Sequence, residues 1–330
     1  MNDTVSHRPP AVSVKDLTVA FERDESRVSA VNGVSYDLAR GEVLTVIGES
    51  GSGKSVMLRT LLGLVPGHAR LGGSVHINGV DMNRLDPATL SAMRGREISM
   101  IFQEPSTAFD PVYTIGEQII ETVLRHEDVS HAEAAARAKD MLDLVAIPSA
   151  ERRLRNFPHE MSGGMRQRAM IALALACRPS VLLADEPTTA LDATVQIQIL
   201  LLLRKLQREL DMALIFVTHD MGVAAEISDR VAVMYAGRFV ETGSAEDVLL
   251  NASHPYTRSM LDSTVHAGMR GQVLQTIRGA PPDLRALPPG CAFAPRCPAA
   301  VGGCRSGQPP AVGLSRTHTA ACLQLAAAAA

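Results

Sequence analysis

The chain has 330 residues, room for about two domains at roughly 150 residues each or for one large α/β unit with an appendage. With 32 Lys and Arg against 35 Asp and Glu, its formal net charge of −3 excludes a histone-like protein that coats a polyanion. Apolar residues make up 46% and charged residues 20%, which excludes global disorder. No apolar run approaches the ~20 residues of a membrane helix, and residues 1–10 lack the basic-then-apolar order of a secretory signal. We therefore expect a soluble, cytoplasmic chain with a disordered N-terminus at residues 1–10.

Up to about residue 280, short β-rich segments alternate with helical patterns, which predicts a mostly parallel sheet covered by helices. Strands whose ends can carry chemistry are predicted at residues 43–47, 98–102, 181–184 and 213–217. Residues 104–177 have a helical pattern, with candidate helices at 115–125, 131–144 and 164–177, and are predicted to form an inserted helical subdomain. The leucine-rich residues 193–210 predict a further helix that is buried over a broad face.

The composition changes past Gly279, because eight of the 19 prolines lie in the last fifty residues. Prolines at this density exclude long helices and central strands. We expect a small irregular extension that something other than a large core holds together.

Four of the five cysteines fall in the last forty residues, whereas Cys177 lies in an apolar segment where packing explains it. The four are Cys291, Cys297, Cys304 and Cys322. In a reducing compartment such a cluster indicates a metal site more often than a disulfide framework.

A complete phosphate-binding loop at residues 48–55 follows the predicted strand at residues 43–47 and precedes a helical pattern that starts near Val56. Glycines let the backbone wrap closely, so that successive N–H groups and the helix N-terminus face the phosphates. Lys54 is then expected to reach the β- and γ-phosphate oxygens and Ser55 to hold Mg²⁺. The predicted nucleotide-binding residues of the loop are Gly48, Glu49, Ser50, Gly51, Ser52, Gly53, Lys54 and Ser55.

The apolar strand at residues 181–184 leads directly into two carboxylates, the Walker B arrangement. Asp185 can coordinate Mg²⁺, directly or through water, and Glu186 beside it can polarise the attacking water. Both carboxylates are predicted to point at the γ-phosphate.

Met161-Ser-Gly-Gly-Met-Arg-Gln-Arg168 lies some twenty residues before Asp185 and places Ser-Gly-Gly at the start of a helix. This makes a second phosphate-binding helix N-terminus, formed by Ser162, Gly163 and Gly164. One nucleotide does not need two such sites from one chain. The arrangement therefore predicts a head-to-tail dimer in which each of these helices caps the γ-phosphate on the opposite loop. The motif resembles the signature of ABC ATPases.

The remaining ABC elements follow in order, and the resemblance implies their roles. Phe21 lies where the family places an aromatic ring that stacks on adenine. Gln103 matches the glutamine that senses Mg²⁺ and contacts the transporter. Ala190-Leu191-Asp192 matches the D-loop, in which Asp192 helps to bridge two subunits, and His219 matches the switch histidine that contacts the γ-phosphate. The resemblance thus implies a catalytic set of Glu186, His219, Gln103 and Lys54, with Ser55, Gln103 and Asp185 at Mg²⁺.

Four segments are similar to the dipeptide/oligopeptide permease ATPases of the D-subunit type, and the similarity covers roughly residues 11–325. The segments start at Gly48, Phe157, Ala184 and His254. The resemblance implies a P-loop NTPase of ABC type: a RecA-like, mostly parallel sheet, an antiparallel β subdomain and the inserted helical subdomain. We expect a nucleotide-binding domain at residues 11–255 and an extension at residues 256–330.

The cysteine tail resembles the C-terminal extension of the same family, which in some members is associated with a [4Fe–4S] cluster. Irregular spacing and a Cys-Pro dipeptide suit such a cluster, whereas the tight Cys pairs of structural zinc sites are missing. Zinc and unligated thiols remain the alternatives. Residues 284–325 contain Arg285, Arg296, Arg305 and Arg316 but no acidic residue, which predicts either a solvated rim or a surface that faces the membrane or a permease.

The leading hypothesis is an ATPase that uses ATP and Mg²⁺ to energise import of di- or oligopeptides at the cytoplasmic face of the inner membrane. Its implied partners are a second homologous ATPase (a heterodimer or a homodimer), two permease subunits and an extracytoplasmic solute-binding protein, with no nucleic acid. Segments near Gln103 and residues 104–115 are expected to contact the permeases.

Three alternatives differ in partners or cargo. A soluble ATPase of the carbon–phosphorus lyase type is expected to lack the extension, and a nickel or glutathione importer would share these motifs. A DNA-repair or ribosome-associated ABC protein needs a coiled-coil insertion or two ATPase domains, neither of which the sequence contains.

Overall fold

Two β-sheets and the helices that cover the larger sheet make up most of the computed structural model, which describes residues 9–23, 26–189, 191–264 and 276–329. Residues 1–8 of the predicted disordered N-terminus and Ala190 of the predicted D-loop lie outside the described residues. The strands are β1 (Val12–Arg23), β2 (Ser26–Leu38), β3 (Val43–Ile47), β4 (Ala69–Ile77), β5 (Val80–Asp81), β6 (Ile98–Ile101), β7 (Val181–Asp185), β8 (Ala213–Thr218), β9 (Arg230–Tyr235), β10 (Arg238–Ser244), β11 (Ala311–Gly313) and β12 (Thr319–Ala321). The α-helices are α1 (Lys54–Leu61), α2 (Pro87–Met93), α3 (Pro105–Ala108), α4 (Ile115–His126), α5 (His131–Leu144), α6 (Ala150–Arg153), α7 (Gly163–Leu175), α8 (Ala193–Glu209), α9 (Met221–Ile227), α10 (Ala245–Leu250), α11 (Pro255–Asp262) and α12 (Leu323–Ala329).

The larger sheet has the strand order β11-β12-β10-β9-β3-β8-β7-β6 within the described residues. From β9 to β6 the strands are parallel, whereas β10, β12 and β11 add antiparallel neighbours. Every residue of β3, β7 and β8 is buried, because both faces of a parallel sheet are covered, so their sequences are nearly continuous apolar runs. The predicted α/β class with a mostly parallel sheet is confirmed.

The smaller sheet is antiparallel and has the order β2-β1-β4-β5. Alternate side chains of β1 and β2, such as Val12, Val19 and Val34, pack against residues of β3 and α1 in one buried cluster. This contact places the antiparallel sheet beside the loop that joins β3 to α1.

The inserted helical subdomain starts its helices at strong capping boxes. Thr114 and Glu117 cap α4, and Ser130 and Glu133 cap α5, each pair with reciprocal side chain to backbone hydrogen bonds. Apolar faces of α4, α5 and α7 meet in a core that continues under the parallel sheet. The subdomain therefore carries the start of α7 as part of one packed body.

Most described residues of the extension are irregular, but the extension also contributes strands to the larger sheet. Strand β12 pairs with β10, and Phe293 packs in one buried cluster with Ile47 of β3 and Tyr256 of α11. The buried Glu241 of β10 accepts hydrogen bonds from the N–H groups of Ser253 and His254. His318 beside β12 contacts the same carboxylate at 2.8 Å.

In the part of the chain that the structure describes, no helix is long and apolar enough to cross a membrane. The division of the chain at residue 255 stays a prediction.

Candidate nucleotide-binding site

The phosphate-binding loop runs from Gly48 to Gly53 between β3 and α1. A Cβ atom on Gly48 would lie 2.2 Å from the carbonyl oxygen of Met234, and one on Gly53 would lie 2.2 Å from that of Ala30. Gly53 also has a φ of 105°, in the region that favours glycine. Both glycines are therefore required by the close packing of the loop against β9 and β2.

Lys54, the first residue of α1, is 5% exposed and directs its ammonium group back over the loop. Its Nζ donates to the carbonyl oxygens of Gly48 at 2.7 Å and Glu49 at 2.9 Å. Burial lowers the pKa of Lys54, and the charges of Glu186, Asp185 and Glu49 oppose this effect. The ammonium thus lies among carboxylates where a phosphate group would compete for it.

The Ser55 hydroxyl donates a 2.8 Å hydrogen bond to Oδ1 of Asp185, which ends β7. Burial raises the pKa of Asp185, and the hydrogen bond from Ser55 opposes that shift. A hydroxyl and a carboxylate oxygen side by side are the hard oxygen ligands that Mg²⁺ prefers. These two residues fit the predicted metal role.

Two of the predicted catalytic residues, Gln103 and His219, contact the carboxylate of Glu186. Its Oε2 accepts from Gln103 Nε2 at 3.4 Å and from the Thr189 hydroxyl at 3.0 Å, and it lies 3.1 Å from Nδ1 of His219. Its φ is 45°, a strained backbone conformation that its N–H stabilises by donating to the Val217 carbonyl. The structure therefore brings together residues from the ends of three strands, β6, β7 and β8. Thr189 was not predicted as a site residue, although its hydroxyl lies only three residues after the carboxylate in the sequence.

Ser162 caps α7, and its Oγ accepts from the N–H of Met165 at 3.3 Å. Ser162 and Gly163 are exposed, and among the described residues no atom beyond the adjacent residues and the backbone of this helix lies within 4 Å of the position of a Cβ on Gly163. Among the described residues, none of the hydrogen bonds joins Ser162, Gly163 or Gly164 to the phosphate-binding loop of the same chain. The structure thus presents this helix start to the outside.

Phe21 and Asp192 lie on separate elements. Phe21 is partly buried on β1, with its ring centroid 6.0 Å from that of His68. Asp192 caps α8 by accepting from the N–H groups of Thr194 and Val195. Stacking on adenine and bridging of subunits stay predictions for these two residues.

Arg296 departs from the predicted rim or outward surface, whereas Arg285, Arg305 and Arg316 are exposed. The Arg296 side chain is 5% exposed and forms an ion pair with Glu49 of the phosphate-binding loop. No local signal could have found this contact, because the two residues are 247 positions apart.

The four cysteines of the extension line one cavity of about 20 Å³, together with His254 and Phe293. Burial raises the pKa of Cys291 and Cys297. The space suits about one water molecule, and within the described residues no group of three or more His, Cys, Asp or Glu is placed to hold a metal ion. The structure gives the predicted iron–sulfur cluster no support, and the residues as arranged do not fit it.

Comparison with known proteins extends these observations. Residues 31–189 match the sequence model of the ABC transporter family, and residues 240–304 match that of the oligopeptide/dipeptide transporter C-terminal region. A solved dimeric structure, described as a post-hydrolysis state of the ATP-binding cassette MJ0796 bound to ADP and phosphate, aligns with a TM-score of 0.64 and 30% identity, covering 71% of this chain and 98% of that one.

Two relatives match almost from end to end. The oligopeptide transport ATP-binding protein OppD of Escherichia coli is 48% identical over 90% of this chain and 88% of its own length. The dipeptide transport ATP-binding protein DppD of Bacillus subtilis is 45% identical over 94% of this chain and 93% of its own length.

The fold and the site together define an ATPase of the ABC class. At this identity over most of both chains, the protein belongs to the family of ATP-binding subunits of oligopeptide and dipeptide ABC transporters.

Proposed function

We propose that this chain hydrolyses ATP to energise import of dipeptides or oligopeptides through permease subunits at the cytoplasmic face of the inner membrane. The observation that carries the proposal is the convergence of Gln103, Thr189 and His219 on Glu186, beside the Ser55–Asp185 pair. The names of the relatives supply the cargo class.

The chemistry proposed for the site is phosphoryl transfer to water. Glu186 orients the attacking water and accepts its proton as the γ-phosphorus–oxygen bond to ADP breaks. His219 contacts the γ-phosphate, and Lys54 neutralises charge on its oxygens. Ser55 and Asp185, with Gln103, would hold Mg²⁺, which neutralises charge between the β- and γ-phosphates.

The proposed partner at the site is a second ABC ATPase, either a related subunit or another copy of this chain. The exposed helix start at Ser162 and Gly163 supports this, since among the described residues it makes no hydrogen bond with the chain's own loop. In a head-to-tail pair it would face the γ-phosphate on the opposite loop, where the N–H groups and helix dipole favour an anion. Phe21 would stack on adenine and Asp192 would lie at the contact between subunits.

The proposed permease contact lies next to Gln103. A cavity of about 260 Å³ is lined mainly by apolar side chains that include Phe102, Leu64 and Leu173. Val112 and Tyr113, in the predicted contact segment, are 70% and 52% exposed. Exposed apolar side chains of this kind indicate a surface for another protein. Two permease subunits and an extracytoplasmic binding protein complete the proposed importer.

The iron–sulfur cluster rests only on the spacing of the four cysteines and on the family resemblance in the sequence. The four thiols line one cavity, but this cavity is too small for a cluster as the residues are arranged. Iron and acid-labile sulfide, measured on anaerobically purified protein, decide between a cluster and unligated thiols. About four of each per chain would establish the cluster, and their absence would end the hypothesis.

The experiment for the transport function is uptake of labelled dipeptides and oligopeptides, with nickel in parallel, in cells that carry Glu186→Gln. The exposed Glu226 provides the matched control, Glu226→Gln. We expect peptide uptake to collapse only in the Glu186 variant. Loss of nickel uptake alone would assign the chain to a metal importer. Persistence of all uptake, while the purified variant loses ATPase activity, would favour a soluble complex and overturn the importer.

A further inference from the structure

We propose that Arg296 of the C-terminal extension is a positioning residue for the phosphate-binding loop, so that the extension sets the affinity of the site for ATP. The inference deepens the proposed function and rests on it in one respect, that ATP is the ligand of the loop.

The guanidinium of Arg296 is held on every side. Its Nη1 and Nη2 donate to the two carboxylate oxygens of Glu49, at 2.6 and 2.9 Å. Its Nε donates to the Arg278 carbonyl at 3.0 Å, and Nη1 also lies 3.3 Å from the Tyr235 hydroxyl. The rings of Tyr235 and Phe293 lie 5.9 and 6.0 Å from its central carbon. Two parallel bonds between a planar guanidinium and a carboxylate fix both orientation and distance.

Glu49 is held at three points, and two of them belong to the end of the chain. Arg296 donates to the carboxylate of Glu49, and the backbone N–H of Glu49 donates to the hydroxyl of Tyr256 at 3.0 Å. The carbonyl oxygen of Glu49 accepts from Nζ of Lys54 at 2.9 Å. A shift of Glu49 would therefore move the carbonyl that orients the lysine.

The two contacts from the extension act through one rigid body. The rings of Tyr235, Tyr256 and Phe293 pack against one another at centroid distances of 4.6 to 5.3 Å. Because Arg296 keeps its charge at all accessible pH values and is almost fully buried, loss of Glu49 would leave an unpaired buried cation. The Arg296–Glu49 ion pair therefore stabilises one position of the phosphate-binding loop.

The test measures ATP affinity and turnover of the full-length protein and of its transporter complex after Arg296→Gln. We expect Kd and KM for ATP to rise roughly tenfold, the equivalent of one hydrogen bond to a charged group. The value of kcat at saturating ATP should fall by less than the affinity, because Glu186 and its partners are untouched and only the orientation of Lys54 is affected. Arg285→Gln is the matched control, since Arg285 lies in the same extension but pairs with Asp283 at the exposed surface.

Glu49→Gln and the double variant complete a cycle that separates this role from general damage. If the pair acts as one unit, the double variant should bind ATP no more weakly than the worse single variant. Arg296→Lys keeps the charge without the two parallel bonds and should be intermediate. If Arg296→Gln folds poorly, as shown by its thermal midpoint, the comparison of Arg296→Lys with Glu49→Gln carries the test.

Unchanged ATP affinity in well-folded Arg296 variants, or additive effects in the cycle, would overturn the inference. A fall in kcat and thermal midpoint without a change in affinity would mean a structural role only and would also overturn it. These results leave the proposed function standing. A wild-type complex that fails to hydrolyse ATP would instead remove the proposed function.

Discussion

At the scale of single residues, the proposed chemistry depends on how Glu186 is oriented. One of its oxygens receives donors or contacts from Gln103, Thr189 and His219. The motifs predicted the carboxylate, the glutamine and the histidine because each follows a recognisable strand. Thr189 lies in the family-like segment that starts at Ala184, but no role was predicted for it, so only the fold revealed its contact with Glu186.

Thr189→Val should lower kcat roughly fivefold to tenfold without weakening ATP binding, because it removes one hydrogen bond that orients a charged group. Steady-state ATPase assays over a range of ATP concentrations measure both quantities. Thr89→Val is the control, since that hydroxyl makes the same kind of bond with Asp86 on α2. A change in KM alone would show that Thr189 acts on binding instead of turnover.

At the scale of elements, strands and helices with strong local signals were predictable and contacts between distant segments were not. Strands β3, β7 and β8 differ from their predicted ranges by at most one residue, because both of their faces are buried and their sequences are nearly continuous apolar runs. Helix α5 matches at both ends, since a capping box marks its start. Strands β11 and β12 have three residues each, too few for an alternating pattern, so they depend on the pairing of β12 with β10 and of β11 with β12.

His318→Ala should lower the free energy of unfolding by about 3 kcal/mol, because it removes one partner of a buried charge. The Glu241 side chain is fully buried, and this contact attaches β12 to β10. Urea unfolding followed by circular dichroism measures the change. The exposed His131→Ala serves as control, and equal stability of both variants would refute the role of the pair.

Asp229, which precedes β9, connects β3 and α8 through Val43 and Arg204. The free energy of unfolding should therefore depend on pH under acidic conditions. Burial opposes ionisation of Asp229, but the Arg204 guanidinium and the Val43 N–H more than compensate and hold the pKa of this carboxyl below its ordinary value. Its contribution to stability is therefore complete above the unfolded pKa of about 4 and is lost as the pH falls through the lower folded pKa.

Asp229→Asn should consequently destabilise the protein at pH 7 and show a shallower loss of stability below about pH 4 than the wild type. Urea unfolding at several pH values measures this dependence. Asp143→Asn is a suitable control, because Asp143 pairs with Lys139 at the exposed surface. Parallel pH profiles for the wild type and Asp229→Asn would contradict the assignment.

At the scale of the whole molecule, the positions of the loop, the carboxylates and the helix capped by Ser162 support the proposed pairing with a second ATPase. Ser55, Asp185 and Glu186 meet within one chain, whereas Ser162 and Gly163 face outward. The sequence predicted this division because one chain carries one loop and one signature. It could not predict that Arg296 joins the far end of the chain to Glu49, since folding alone brings those residues together.

The most direct measurement is single-turnover hydrolysis of ATP by the purified transporter complex with Glu186→Gln in this chain, alongside its equilibrium affinity for ATP. If Glu186 is the general base, we expect unchanged affinity for ATP and hydrolysis slowed by roughly 100-fold or more, the contribution of a positioned general base. Hydrolysis at the wild-type rate would contradict this role, because the carboxylate on which the site converges would then have no part in the reaction.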